Sequence, residues 1–150
     1  VQNSGITDCE GCPEANILSL DYNFKLNSLK GITPTVTTLN LLNCTALHTI
    51  DADLPNCTTL RLSFSGIETF SGIHKHCPKL ESINLTWCDN LKAGLLGLLR
   101  IPSLKLVEAS TGPDELLVAV GLINKHLKDK NIGACQTDLF KNGLKEYAKL

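Results

Sequence analysis

The chain has 150 residues, 43% of them apolar and 19% charged, with a formal net charge of −1. This length suits one domain with a sizeable core, and the balanced charge gives no general pull toward nucleic acid or an anionic membrane. No run approaches the roughly 18 uninterrupted apolar residues of a membrane span, so none is expected.

Residues 1–14 show no basic n-region and no apolar h-region, so no signal peptide is visible. With no Met anywhere, the sequence reads as a mature form or an excised piece of something longer. This first segment is expected to cap the domain or to be a remnant of an earlier repeat. It holds Cys9-Glu-Gly-Cys12, a C-x-x-C pair for which a local disulfide is a better reading than a metal site. Its possible partners in a zinc site, His74, His76 and Cys77, fall three turns of the repeat away, about 14 Å at the usual strand spacing.

From residue 15 to 110 one pattern returns five times: apolar-x-x-apolar-x-apolar-x-x-small. The copies are Ala15, Leu18, Leu20, Asn23; Val36, Leu39, Leu41, Cys44; Cys57, Leu60, Leu62, Ser65; Leu80, Ile83, Leu85, Cys88; and Ile101, Leu104, Leu106, Ala109. The second position recurs in steps of 21, 21, 23 and 21 residues. Each apolar-x-apolar run predicts a strand of about three residues whose intervening side chains face solvent. Asn23, Cys44, Ser65, Cys88 and Ala109 then form an inward ladder where the chain leaves the strand. Further apolar residues line the return path: Leu26, Leu29 and Ile32, then Leu47, Ile50 and Leu54, then Ile67, Phe70 and Ile73. So short a repeat leaves little room for helices there, and Pro34, Pro55, Pro78 and Pro102 favour 3₁₀ or irregular segments. Residues 93–99, with four leucines, can hold a short helix.

After residue 110 the pattern stops. Gly112-Pro113-Asp114-Glu115 is a helix start, and Leu116, Val120, Ile123 and Leu127 make one apolar stripe at helical spacing. A second helix is expected from Thr137 to Ala148. Residues 111–150 are thus expected to form a C-terminal helical cap over the last strand.

A period of 20–29 residues with this spacing resembles the leucine-rich repeat superfamily over residues 15–109. The resemblance implies an α/β solenoid: a right-handed coil with short parallel strands on its concave side and an irregular or 3₁₀ convex side. Cys77-Pro-Lys-Leu80, followed by Ile83-Asn-Leu-Thr-Trp-Cys88, is similar to the cysteine-containing subfamily, familiar from substrate-receptor subunits of ubiquitin ligases. Asn23, Ser65 and Ala109 depart from its second cysteine, and no F-box-like segment precedes the repeats. Bacterial and parasite interaction proteins with short repeats resemble the chain about as well. The resemblance implies protein recognition without chemistry of its own.

The residues themselves agree. There is no G-x-S-x-G, no Gly-rich phosphate loop and no Cys paired with a neighbouring base, so no enzyme, cofactor or metal is expected. The outward columns read Ser19, Asn40, Arg61, Asn84, Lys105; Asp21, Leu42, Ser63, Thr86, Val107; and Tyr22, Asn43, Phe64, Trp87, Glu108. Aromatics and Arg anchor protein interfaces, so Tyr22, Arg61, Phe64, Asn84, Trp87 and Lys105 are the candidate partner-binding residues. Two isolated cations are too few to track phosphates. Buried Cys44, Cys57 and Cys88 lean toward a reducing, cytoplasmic setting. Three N-x-T triplets, at Asn43, Asn56 and Asn84, point to an extracellular glycan- or peptide-binding domain instead, but chance alone yields about as many.

Overall fold

The computed structural model describes residues 1–131. Five three-residue strands, β1 (Ile17–Ser19), β2 (Thr38–Asn40), β3 (Thr59–Arg61), β4 (Ser82–Asn84) and β5 (Leu106–Glu108), form one open parallel sheet in the order β1-β2-β3-β4-β5. Parallel neighbours require a crossover, and here most crossovers are turns. The exceptions are one helical turn, α1 (Ile73–His76), and a 3₁₀ helix (Leu95–Arg100); an 18-residue helix, α2 (Asp114–Asn131), follows β5. This arrangement is consistent with the α/β solenoid that the repeat predicts. The second predicted helix, Thr137–Ala148, and Cys135 lie outside the described residues.

One residue of each strand is buried: Leu18, Leu39, Leu60, Ile83 and Val107 stand in register across the sheet. Two residues on, Leu20, Leu41, Leu62 and Leu85 are fully enclosed. The predicted return-path residues complete the core, with Ile32 alone among them only partly covered. Successive turns press close together, and at Gly66 a Cβ would run into the Thr45 carbonyl.

The fifth turn departs from the sequence reading. Glu81 and Ser82 both donate to the Thr58 carbonyl, and one turn later Lys105 and Leu106 both donate to that of Glu81. Val107, not Leu104, therefore aligns with Ile83, a step of 24 residues. Leu104 takes the place of Leu80, Val107 is 1% exposed and Leu106 is 42% exposed. The Leu104-Lys-Leu106 doublet mimics the repeat, but the six-residue 3₁₀ helix consumes extra chain and delays the strand. Ala109 accordingly occupies the second-leucine position, half-buried, and does not extend the inward ladder.

Both edges of the sheet are occupied. Beyond β1, the Val1 ammonium donates to the Ser19 carbonyl (3.1 Å) and the Asn3 amide to that of Asp21 (3.1 Å). Cys9 N–H bonds to Lys30 O, and Asn27 N–H to Thr7 O, so the first residues run alongside repeat one as its neighbour would. Beyond β5, the Asn124 side chain of α2 accepts from Val107 N–H (2.9 Å) and donates to Val107 C=O (2.7 Å). One carboxamide thus stands in for the peptide group of a sixth strand. The predicted stripe of α2, Leu116, Val120, Ile123 and Leu127, is buried against this end. No helix among the described residues is long and apolar enough to cross a membrane.

Candidate functional site

The strand face ends in a row of tight turns, and their backbone is the most unusual feature of the molecule. Tyr22, Asn43, Phe64 and Trp87, one per repeat, have φ of 61°, 58°, 58° and 56°, and Asn3 at the N-terminal edge has 51°. These are left-handed conformations, which Asn accepts readily and bulky residues rarely adopt, at a cost of about 1–2 kcal/mol. The reversal lets the next residue turn inward. Cys44 donates its thiol to Leu20 O (3.2 Å), and Cys88 donates to Leu62 O (3.1 Å) with Ser65 3.7 Å away. Asn23 is fully buried; it donates to Leu20 O (2.8 Å) and Val1 O (2.6 Å) and accepts from Ser4 N–H and Oγ–H. The four-membered ladder Asn23, Cys44, Ser65, Cys88 is therefore the hydrogen-bonded hinge of the turns, and the fifth expected member, Ala109, is not part of it.

Tyr22, Phe64 and Trp87 are 43%, 45% and 43% exposed, so these rings are not core. Phe64 and Trp87 stack, with centroids 6.0 Å apart and planes 23° apart. Tyr22 meets Phe24 edge-on at 6.4 Å. Two aromatic clusters thus flank Asn43. Backbone hydrogen bonds Tyr22 N–H to Leu42 O, Asn43 N–H to Ser63 O and Phe64 N–H to Thr86 O (2.8, 3.0 and 3.0 Å) hold the row in step.

The central outward column is Ser19, Asn40, Arg61, Asn84 and Glu108. Glu108 replaces the predicted Lys105, which stands just before the strand, level with Glu81, and pairs with its carboxylate at 3.2 Å. Likewise Val107 leaves the second column for the core, and Glu108 leaves the aromatic row. Asn84 is committed within the chain: it accepts from Ser63 Oγ and Thr86 N–H and donates to Glu108 (3.2 Å). Asp21 accepts from Leu42 N–H, Ser19 and Gln2. Arg61 is exposed and makes no hydrogen bond or ion pair among the described residues. Of the six predicted binding residues, four (Tyr22, Arg61, Phe64, Trp87) keep their polar or aromatic surface available. Asn84 and Lys105 are engaged. Asn43 stands in the predicted column, though not among the candidate binding residues, and Phe24 joins the same surface without having been read from the sequence; the pairing of Asn3 and Asn43 at equivalent turns was the signal for the left-handed row.

The six cysteines within the described residues are free thiols, so Cys9 and Cys12 are not joined by the local disulfide that their spacing suggested over a metal site. Burial raises Cys44, Cys57 and Cys88 to about 11 and Cys9 and Cys77 to about 12, so all five stay protonated at neutral pH. His76 bonds Asp53 at 2.8 Å. Among the described residues no group of three or more His, Cys, Asp or Glu is placed to hold a metal ion. On the return side, a cavity of about 500 Å³ between α1 and the 3₁₀ helix is lined by residues that include Phe70, His74, Leu96, Leu99 and Arg100.

Comparisons with protein-family models, with curated proteins and with solved structures found no match.

Proposed function

We propose that the chain is a leucine-rich repeat solenoid that recognises a protein partner through its concave strand face and carries no chemistry of its own. One observation carries this reading. Three large rings sit half-exposed on left-handed backbone, in a row where Asn3 and Asn43 meet the same turn without that strain. Backbone strain of this kind costs stability and persists where a surface is used. Exposed aromatic anchors beside an uncommitted Arg are the usual centre of a protein interface.

The test exploits the same backbone. The triple variant Tyr22→Asn, Phe64→Asn, Trp87→Asn removes the rings while keeping a residue suited to the turn. Partners captured by the wild-type chain are identified and purified, and circular dichroism confirms that the variant is folded. A purified partner whose Kd rises by about tenfold or more on the variant, a loss of about 1.4 kcal/mol, supports the reading. Equal Kd values overturn it.

A further inference from the structure

Cys9 and Cys12 close a single turn of the N-terminal cap. Cys12 N–H donates to Cys9 C=O at 3.0 Å, and Glu10 and Gly11 form the corner. Gly11, the third residue, has φ 79°, the positive value that a type II turn requires there. Such a turn keeps its first and fourth Cα atoms within about 7 Å, and a disulfide spans about 4.4–6.8 Å. The side chains meet as well, for the Cys9 thiol hydrogen-bonds to the Cys12 sulfur. Backbone and side chains together bring two thiols to the spacing of an S–S bond.

The two thiols differ in access. Cys9 is fully buried, whereas Cys12 is partly exposed beside the exposed Glu10 and Gly11. A small disulfide from solution reaches Cys12 first, and the modified sulfur then faces Cys9. Burial, with Cys12 and then Asp8 as lesser causes, pushes the Cys9 thiol up to about 12. A thiol of that kind is a poor leaving group, so the closed bond resists cleavage at its side. Cys44, Cys57, Cys77 and Cys88 are at most 1% exposed and closed to such an oxidant.

The turn is also a clamp. Cys9 N–H donates to Lys30 C=O at 2.9 Å, and Lys30 pairs with Glu10 at 3.3 Å. Gly31 lies so near that a Cβ there would sit 2.7 Å from Glu10 N. The same segment carries Asn3 N–H to Asp21 C=O and Ser4 N–H to Asn23 Oδ1. Whatever stiffens this turn stiffens the cover over β1.

We propose that Cys9 and Cys12 form a reversible disulfide by exchange with a low-molecular-weight disulfide, and that its closure locks the N-terminal cap onto repeat one. Cys12 releases its proton to water and attacks one sulfur of glutathione disulfide. A bond forms to that sulfur, and the other glutathione leaves as a thiolate and takes up a proton. Cys9 then loses its proton and attacks the Cys12 sulfur, and the second glutathione leaves in the same way. The cysteine pair gives up two electrons, and glutathione disulfide gains them as two thiols. This device controls the cap and stands apart from the strand-face reading.

The wild-type chain and Cys135→Ser, which removes the cysteine outside the described residues as a competitor, are equilibrated over a series of glutathione to glutathione disulfide ratios. Each is held folded or in urea, then quenched in acid, unfolded, alkylated and digested with trypsin. Lys25 is the first Lys or Arg, so peptide 1–25 carries Cys9 and Cys12 and no other cysteine. The expected result is an internal disulfide in this peptide, formed in the folded chain at a ratio about tenfold less oxidising than in urea, with the four core cysteines still alkylated. By linkage the disulfide then stabilises the fold by the same tenfold factor, about 1.4 kcal/mol. Amide exchange at Asn3 and Cys9 slows on oxidation and recovers with dithiothreitol. Cys9→Ser leaves Cys12 as a mixed disulfide with glutathione, and Cys12→Ser leaves Cys9 unmodified. A peptide 1–25 that keeps both thiols, an unresolved mixed disulfide in the wild type, a Cys12–Cys135 bond, or equal ratios in folded and unfolded chains overturns the proposal. Unchanged exchange at Asn3 in the oxidised chain overturns the locking.

Discussion

Phe64 gives the sharpest test of the left-handed row. Phe64→Ala and Phe64→Gly delete the same ring, so both lose its stacking on Trp87, worth about 0.5–1.5 kcal/mol, together with its half-buried area. They differ in backbone alone. At φ 58° an alanine retains the left-handed penalty of about 1–2 kcal/mol. Glycine escapes it and gives back about 0.4–1 kcal/mol through the greater freedom of its unfolded chain. Glycine is therefore expected to be the more stable of the two by about 1 kcal/mol, or about 3 °C in Tm for a chain of this size. Asn at this position should fall between them or match Gly. One residue earlier the order must invert, because Ser63 is not among the residues with positive φ, and Gly there is expected to be about 0.5–1 kcal/mol worse than Ala. Urea and thermal unfolding of the variants, followed by circular dichroism, supply the comparison. Alanine equal to or better than glycine at position 64 would refute the assignment of strain to this row.

Other substitutions test the ends and the core. Asn124→Leu keeps the bulk of the side chain but leaves Val107 N–H and C=O without a partner; a loss of about 2 kcal/mol in urea unfolding is expected, and a neutral result would mean α2 does not seal the sheet edge. Asn23→Ala removes bonds to Val1, Ser4 and Leu20 at a fully buried site and is expected to cost about 2–4 kcal/mol and to speed amide exchange at Asn3 and Ser4. In thiol labelling of the native chain, Cys12 should react well before the five buried cysteines, and comparable rates would contradict their burial. Those five have folded-state values of about 11 to 12 against 9.0, so the unfolded chain releases their protons first. Their contribution is whole below pH 9.0 and is lost as pH rises through 11 to 12. The fall in urea midpoint above pH 9.0 should flatten in a Cys44→Ala, Cys88→Ala variant, and an unchanged slope would rule these thiols out as its cause.

The legible and illegible parts of this chain divide along a physical line. Leu18, Leu39, Leu60 and Ile83 announce their register because each is the single buried residue of a strand, and burial is what an apolar period records. The stripe of α2 reads equally well for the same reason. The fifth repeat fails because Leu104, Leu106 and Val107 offer apolar residues at both parities. A shift of three residues then keeps Leu104 buried but exchanges Leu106, now exposed, with Val107, now buried. What settles the register is the length of the preceding 3₁₀ helix and the amide of Asn124, and neither leaves an apolar signature. Lys105 moved out of the predicted surface with that register, and Glu108 moved into its centre.

The aromatic row was visible as a column, but its significance was not, because sequence spacing says nothing of the sign of φ. With the backbone in view, the exposed rings and the strained turns become one fact. A turn that reverses the chain so that Cys44 or Cys88 can reach the carbonyl of the preceding turn needs a left-handed residue. For folding alone, asparagine serves, as it does at Asn43. Tyr22, Phe64 and Trp87 instead carry large rings at a backbone cost that Asn largely avoids, with nearly half of their surface left in water. On the proposed function, stability and recognition pull in opposite directions at these three positions, and replacing all three by Asn is expected to trade binding for a fold that survives intact. A variant that lost its fold instead would show that the rings are held for packing rather than for a partner.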